Sequence, residues 1–182
     1  MEAAYELFAA KGVARVGVDA ILARADCAKA SLYSHFKSKV DLAIAVLDRR
    51  ETLWTRGWLE ASIRSGERGP KERLLGIFDT FETWFRTRSF EGCPFVNVLL
   101  ESERGSPLHR AAAAHLATIR GMIVELAEQA GLRQPEKFAH AMHMLMKGSI
   151  IAAAEGNRNA ARDAKRAARL IIDHWERAAE RH

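Results

Sequence analysis

Asp19-Ala20-Ile21-Leu22-Ala23-Arg24-Ala25-Asp26-Cys27-Ala28-Lys29-Ala30-Ser31-Leu32-Tyr33-Ser34-His35-Phe36-Lys37-Ser38-Lys39 reads as two short helices joined by a tight turn, with a third helix starting at once behind them. Ile21, Leu22 and Ala25 fall at i, i+1 and i+4, and Leu32 and Phe36 mark a second apolar stripe at i, i+4. Between the stripes stand Lys29, Ser31, Tyr33, Ser34 and His35, polar side chains of moderate length suited to phosphates and base edges. Helical geometry turns Lys29, Ser31, Tyr33 and His35 away from the Leu32–Phe36 stripe. The layout fits a helix-turn-helix whose second helix enters a DNA groove. A solvated polar face on a small bundle is the competing reading of the same residues.

Outward from that stretch, Ala3-Ala4-Tyr5-Glu6-Leu7-Phe8-Ala9-Ala10-Lys11-Gly12 resembles the first helix of the TetR family of transcriptional repressors. Leu32-Tyr33-Ser34-His35-Phe36-Lys37-Ser38-Lys39-Val40-Asp41-Leu42 is similar to that family's L-Y-x-Y/H-F-x-S/N-K-x-x-L signature. The resemblance covers residues 3 to about 50. Beyond that it rests on helix count and length, and on a Gly92-Cys93-Pro94 element seen in one branch of the family. It implies DNA contacts from Lys29, Ala30, Ser31, Tyr33, Ser34, His35 and Lys39. Lys39 stands at the start of a helix, where backbone N–H groups also favour a phosphate. Two positions depart from the family pattern. Asp26 replaces the usual turn Gly, and can take a left-handed conformation only at some cost. Ala28 replaces the usual Ser or Thr, which deprives the next helix of its N-cap, a loss of about 0.5–2 kcal/mol. Met1 sits only about a turn before Tyr5, Leu7 and Phe8, so either the start is truncated or the chain lacks the basic arm common in the family.

The rest of the chain sets wide bounds. With 182 residues it can bury a sizeable core. Net charge is +5, divided as +2 over residues 1–50 and +3 over the remainder, so a DNA argument must rest on the motif and not on bulk charge. No apolar run of eighteen suggests a membrane span, and no apolar segment behind a basic start suggests a signal peptide. Two cysteines in separate segments, Cys27 and Cys93, fit a reduced cytoplasmic protein.

Apolar spacing is helical almost everywhere, with Gly and Pro as punctuation. About nine helices are expected in an all-α fold: about 2–11, 18–25, 29–35, 38–65, 71–88, 95–103, 107–130, 135–155 and 159–180. The fourth ends near Gly66 and Gly69, and Ser38 caps its start with Asp41 three residues on. The expected division is a helix-turn-helix DNA-binding domain over 1–48 and an effector-binding and dimerisation domain over 49–182.

Phe78, Phe81, Trp84, Phe85, Phe95, Met122, Met142 and Met146 are spread over the fifth to eighth helices. The resemblance implies that they line an effector cavity, and apolar walls with adaptable methionines suit small molecules. A filled core is the competing reading. His115 and His143 are candidate polar handles in such a pocket, while His109 reads as a surface side chain. His140 and His143 have a spacing metals can use, but no Cys or carboxylate completes a shell, so neither metal nor cofactor is expected. Cys93 precedes Pro94 at a helix start, a position that can activate a thiol, although a small buried hydrophobe is the favoured reading. Cys27 is expected to pack in place of the family's usual Val.

Leu145, Gly148, Ser149 and Ala152 on the eighth helix, and Ala164, Ala168, Ile171, Ile172 and Trp175 on the ninth, combine small residues with buried area. The resemblance implies a four-helix homodimer interface there; intramolecular packing is the alternative. The expected function is a ligand-responsive repressor that binds a double-stranded DNA operator as a homodimer and is released by a small apolar or aromatic effector. The sequence carries no G-x-S-x-G, H-E-x-x-H, Walker or dinucleotide motif, which weighs against an enzyme. A helical protein-binding adaptor would have no reason to carry Lys29, Tyr33 and Lys39 at this spacing.

Overall fold

A computed structural model describes residues 1–64, 69–88 and 90–179, with side chains through Trp175. Among the described residues every regular element is helical. The helices are α1 (Glu2–Lys11), α2 (Val18–Ala25), α3 (Lys29–His35), α4, α5 (Pro70–Phe85), α6 (Pro94–Glu101), α7 (Pro107–Gln129), α8 (Pro135–Ala154) and α9 (Ala160–Ala179). Helix α4 begins as Lys39–Arg50, widens to a π-helix over Glu51–Glu60 and closes as Ala61–Arg64. The widening carries two indoles four residues apart, Trp54 and Trp58, with ring centres 5.3 Å apart. Nothing in the apolar spacing had pointed to it. Gly66, expected near the end of α4, and residue 180, expected at the end of α9, lie outside the described residues.

Local chemistry sets the ends. Pro70, Pro94, Pro107 and Pro135 each open a helix, where the missing N–H costs no hydrogen bond. Gly12 follows α1 with φ 78°, and its N–H closes on Phe8 O at 2.8 Å. Ser38 caps α4 by accepting the Asp41 N–H at 3.1 Å. Helix α3 starts from Ala28 without a side-chain cap, as the sequence implied, and Asp26 takes the left-handed conformation at φ 47°, ψ 52°.

The chain forms two compact units. The first comprises Met1–Leu53 and Cys93–Leu116, and the second Trp54–Gly92 and Ala117–His182. In the first, Phe8, Val16, Ile21, Leu32, Leu42 and Leu47 are buried, as are Phe95, Val98 and Leu116. Leu22 and Phe36 are only half-buried and Ala25 is exposed, so each short helix is anchored by one fully buried side chain, Ile21 or Leu32. In the second unit Phe78, Phe81, Phe138 and Met142 are almost completely buried, and each contributes about 1.5–3 kcal/mol through lost apolar exposure.

Helix α9 packs against both α5 and α8. Its Ala160, Ala161, Ala164, Ala168 and Ile172 are buried within the single chain. Ala164, Ala168 and Ile172, expected at a dimer surface, are here covered by helices of their own chain, which the small residues let α9 approach closely. Ser149 is buried too and donates to Met146 O at 2.7 Å. Trp175 donates its indole N–H to Arg133 O at 2.6 Å and stands edge-on to Phe138. Among the described residues, the large apolar side chains left uncovered on α8 and α9 are Met144, Ile151 and Leu170, exposed by 64%, 52% and 70%. Gly148 is exposed beside the first two, while Leu145, Ala152 and Ile171 are half-buried.

Candidate nucleic-acid interface and regulatory residues

Leu32 fixes the orientation of α3. It is 7% exposed and points inward, so Lys29, Ala30, Ser31, Tyr33, Ser34 and His35 are all left on the solvent side. Tyr33 is 43% exposed, a large aromatic side chain with its hydroxyl free to reach a groove. Ser34 donates to Ser31 O at 2.8 Å, a local bond that holds its hydroxyl on the helix. No acidic residue occurs from Lys29 to Val40, while Lys29, His35 and Lys37 are exposed. This surface therefore suits a polyanion. Cys27, expected to be packed, is exposed in the turn. The left-handed Asp26 throws it outward at the point where the chain reverses.

Lys39, expected to meet a phosphate, has partners within its own chain. Its ammonium donates to Val13 O at 2.9 Å and to Val16 O at 3.0 Å, with Ala14 O at 3.5 Å. An ammonium has three N–H donors, and here they are turned onto the backbone that joins α1 to α2. That geometry makes Lys39 a clamp on the motif. A phosphate would have to compete with these carbonyls for it.

The proposed effector residues divide between the two units. Cys93, Phe95 and His115 are in the first. Cys93 is buried, and His115 places Nε2 3.0 Å from Asp48 Oδ1 with its ring 5.0 Å from that of Phe95. The His115 nitrogen expected to serve a ligand thus already has a partner on α4. Phe78, Phe81, Trp84, Phe85, Met122, Met142, His143 and Met146 are in the second unit. The aromatics there stack in a chain, with ring centres 6.2 Å apart for Phe78–Phe81, 5.5 Å for Phe81–Trp84 and 5.4 Å for Phe81–Phe85. Sequence reasoning missed three members of this cluster. Trp54 lies 4.7 Å from Trp84, Trp58 flanks Trp54, and Phe90 lies 5.0 Å from Trp84. The i, i+4 spacing of the two tryptophans was the available signal.

His143 is buried, at 4% exposure. Burial pushes its imidazole pKa down to about 4, and the positive charges of Lys147, Arg120 and His140 push the same way. It is a neutral base at physiological pH. His140, its partner in the H-x-x-H spacing, is exposed. Among the described residues no group of three or more His, Cys, Asp or Glu side chains is arranged to hold a metal ion. No described helix is long and apolar enough to cross a membrane.

Comparison with known proteins agrees with this geometry. Residues 1–46 match the family described as bacterial regulatory proteins, tetR family, and residues 70–168 match the tetracyclin repressor-like C-terminal domain. An uncharacterised helix-turn-helix-type transcriptional regulator of Lactococcus lactis subsp. lactis is 23% identical over 164 residues, covering 83% of this chain and 79% of the relative. The crystal structure of a putative TetR transcriptional regulator from Streptomyces avermitilis is similar with a TM-score of 0.86 and 27% identity, over 96% of this chain and 94% of that one. A TetR-family transcriptional regulator from Streptomyces coelicolor superposes with a TM-score of 0.86 and 26% identity, over 96% and 92% of the two chains. Members of this family are transcription regulators and not enzymes. The chain belongs to the TetR family and is a DNA-binding transcriptional regulator built on that fold.

Proposed function

We propose that the protein is a ligand-responsive repressor that acts in the cytoplasm as a homodimer on a near-palindromic operator. The observation that carries the reading is the outer face of α3, where Lys29, Ser31, Tyr33 and His35 are exposed around a buried Leu32. Two such helices related by a two-fold axis read two half-sites in successive major grooves. The second copy docks on the uncovered face of α8 and α9. Met144, Gly148 and Ile151 recur there at i, i+4 and i+7, with Leu170 exposed on the neighbouring helix. The effector is a small, mostly apolar or aromatic molecule bound among the Phe, Trp and Met side chains of the regulatory region, with His143 as its polar handle. It acts by binding more tightly to a conformation in which the recognition helices are wrongly spaced for DNA.

Selection of operator duplexes from random-sequence DNA, followed by anisotropy titrations at several salt concentrations, tests the reading. Specific binding with a steep salt dependence, relieved by a small aromatic effector from a thermal-shift screen, is the expected result. Failure to enrich any sequence would overturn it.

A further inference from the structure

The geometry points to Glu101 as a positioning residue for DNA recognition, one that holds the recognition unit in place through the backbone and never touches DNA. Glu101 is the last residue of α6, far in sequence from the helix-turn-helix. Its Oε2 nevertheless accepts the Val13 N–H at 3.1 Å. The same residue, Val13, gives its carbonyl to the Lys39 ammonium at 2.9 Å. The α1–α2 connection is therefore gripped from both sides, by an anion on its amide and a cation on its carbonyls. The carboxylate also lies against Gly12: a Cβ built there would stand 2.5 Å from Glu101 Oε1 and 2.6 Å from Oε2, so any side chain at this position would have to move the carboxylate aside. Gly12 also has φ +78°, which an L side chain rarely adopts.

The consequence follows from chain connectivity. The connection from Gly12 to Gly17 sets where α2 starts, and α2 carries α3 through the tight left-handed turn at Asp26. Lys39 opens α4 three residues after Phe36. A shift of the Gly12–Val16 backbone therefore changes the presentation of α3. A hydrogen bond to a charged acceptor is among the stronger local restraints available to a partly buried backbone N–H such as that of Val13. The inference rests on the DNA-binding function alone, and holds whether or not a small molecule acts on the protein.

The sign of the mutational effect separates this role from the alternatives. Removing a negative charge close to DNA ordinarily strengthens binding, because phosphates are then less repelled. If Glu101 positions the motif, its loss must weaken specific binding instead. The full-length chain carrying Glu101→Ala is expected to bind the selected operator duplex about tenfold more weakly, the scale of one lost charged hydrogen bond. The salt slope should be unchanged, because no phosphate contact is removed. Affinity for a random duplex should be unchanged or higher, and exchange of the Val13 amide hydrogen should accelerate. Glu101→Gln keeps an acceptor oxygen and should recover operator affinity to within about threefold of the parent. It also keeps the test open if the alanine variant folds poorly. Operator binding at or above parental strength in Glu101→Ala would overturn the inference. So would a parallel loss on random DNA, or failure of the glutamine to restore affinity.

Discussion

His143 gives a prediction whose size and sign come from its surroundings. Its pKa is held near 4 in the folded protein, first by burial and then by Lys147, Arg120 and His140, against an ordinary value of 6.5. Between those two pH values the unfolded chain carries a proton on this side chain that the folded chain does not. Stability must then rise with pH in that window, and be lost as the pH falls from 6.5 towards 4. At about 1.36 kcal/mol per pH unit the full loss is about 3 kcal/mol, of which about 2 has appeared by pH 4.5. His143→Gln removes the proton-binding site from both states. Urea unfolding of parent and variant at pH 7 and pH 4.5, at one protein concentration and ionic strength, isolates the term. All other titrating groups contribute equally to both proteins and cancel in the difference. The parent should lose about 2 kcal/mol more than the variant on acidification. Equal losses in the two proteins would show that His143 is solvated or paired in solution, and would refute the argument from burial and neighbouring charge.

The remaining expectations concern DNA binding and assembly. Tyr33→Ala, on the exposed face of α3, should weaken operator binding strongly without changing the melting temperature, as measured by anisotropy and calorimetry. Lys39→Ala deprives the Val13 and Val16 carbonyls of their donor, and should lower stability by about 2 kcal/mol in urea unfolding while also reducing operator affinity. A fall of about one in its salt slope would instead reveal a direct phosphate contact. Ile151→Arg, on the uncovered α8 face, should give a folded monomer by light scattering; an unchanged dimer would place the interface elsewhere. Ala168→Arg should instead destabilise the protomer itself by about 3 kcal/mol or more, because the site is closed within one chain and the new charge has no partner there.

What the sequence revealed, and what it did not, follows the reach of each interaction. Helix ends at Pro70, Pro94, Pro107 and Pro135, the left-handed Asp26 and the uncapped Ala28 were legible because a residue and its neighbours in sequence settle them. The Leu32 anchor was legible for the same reason, and with it the exposed face of α3. The carbonyl partners of Lys39 were not legible because an ammonium is satisfied by any oxygen: a phosphate and a backbone carbonyl ask for the same residue at the same place. Only the folded connection shows that three carbonyls converge on it. Helix α9 poses the same ambiguity with apolar atoms. Ala164, Ala168 and Ile172 recur as a stripe that must be buried, but periodicity does not say against which chain. Within this chain α9 packs against α5 and α8, which leaves Ile151 and Leu170 uncovered. Glu101 lay beyond sequence reading altogether, since its partner is 88 residues away and is a backbone amide that any amino acid but proline would provide. The one local trace was Gly12, which reads as a helix terminator, and in the fold also makes room for that carboxylate. Gly12→Ala would strain the turn at φ +78° and push the carboxylate aside, so it should disturb both the end of α1 and the seat of Glu101. Its effect on operator binding should exceed that of Glu101→Ala, which leaves the turn intact.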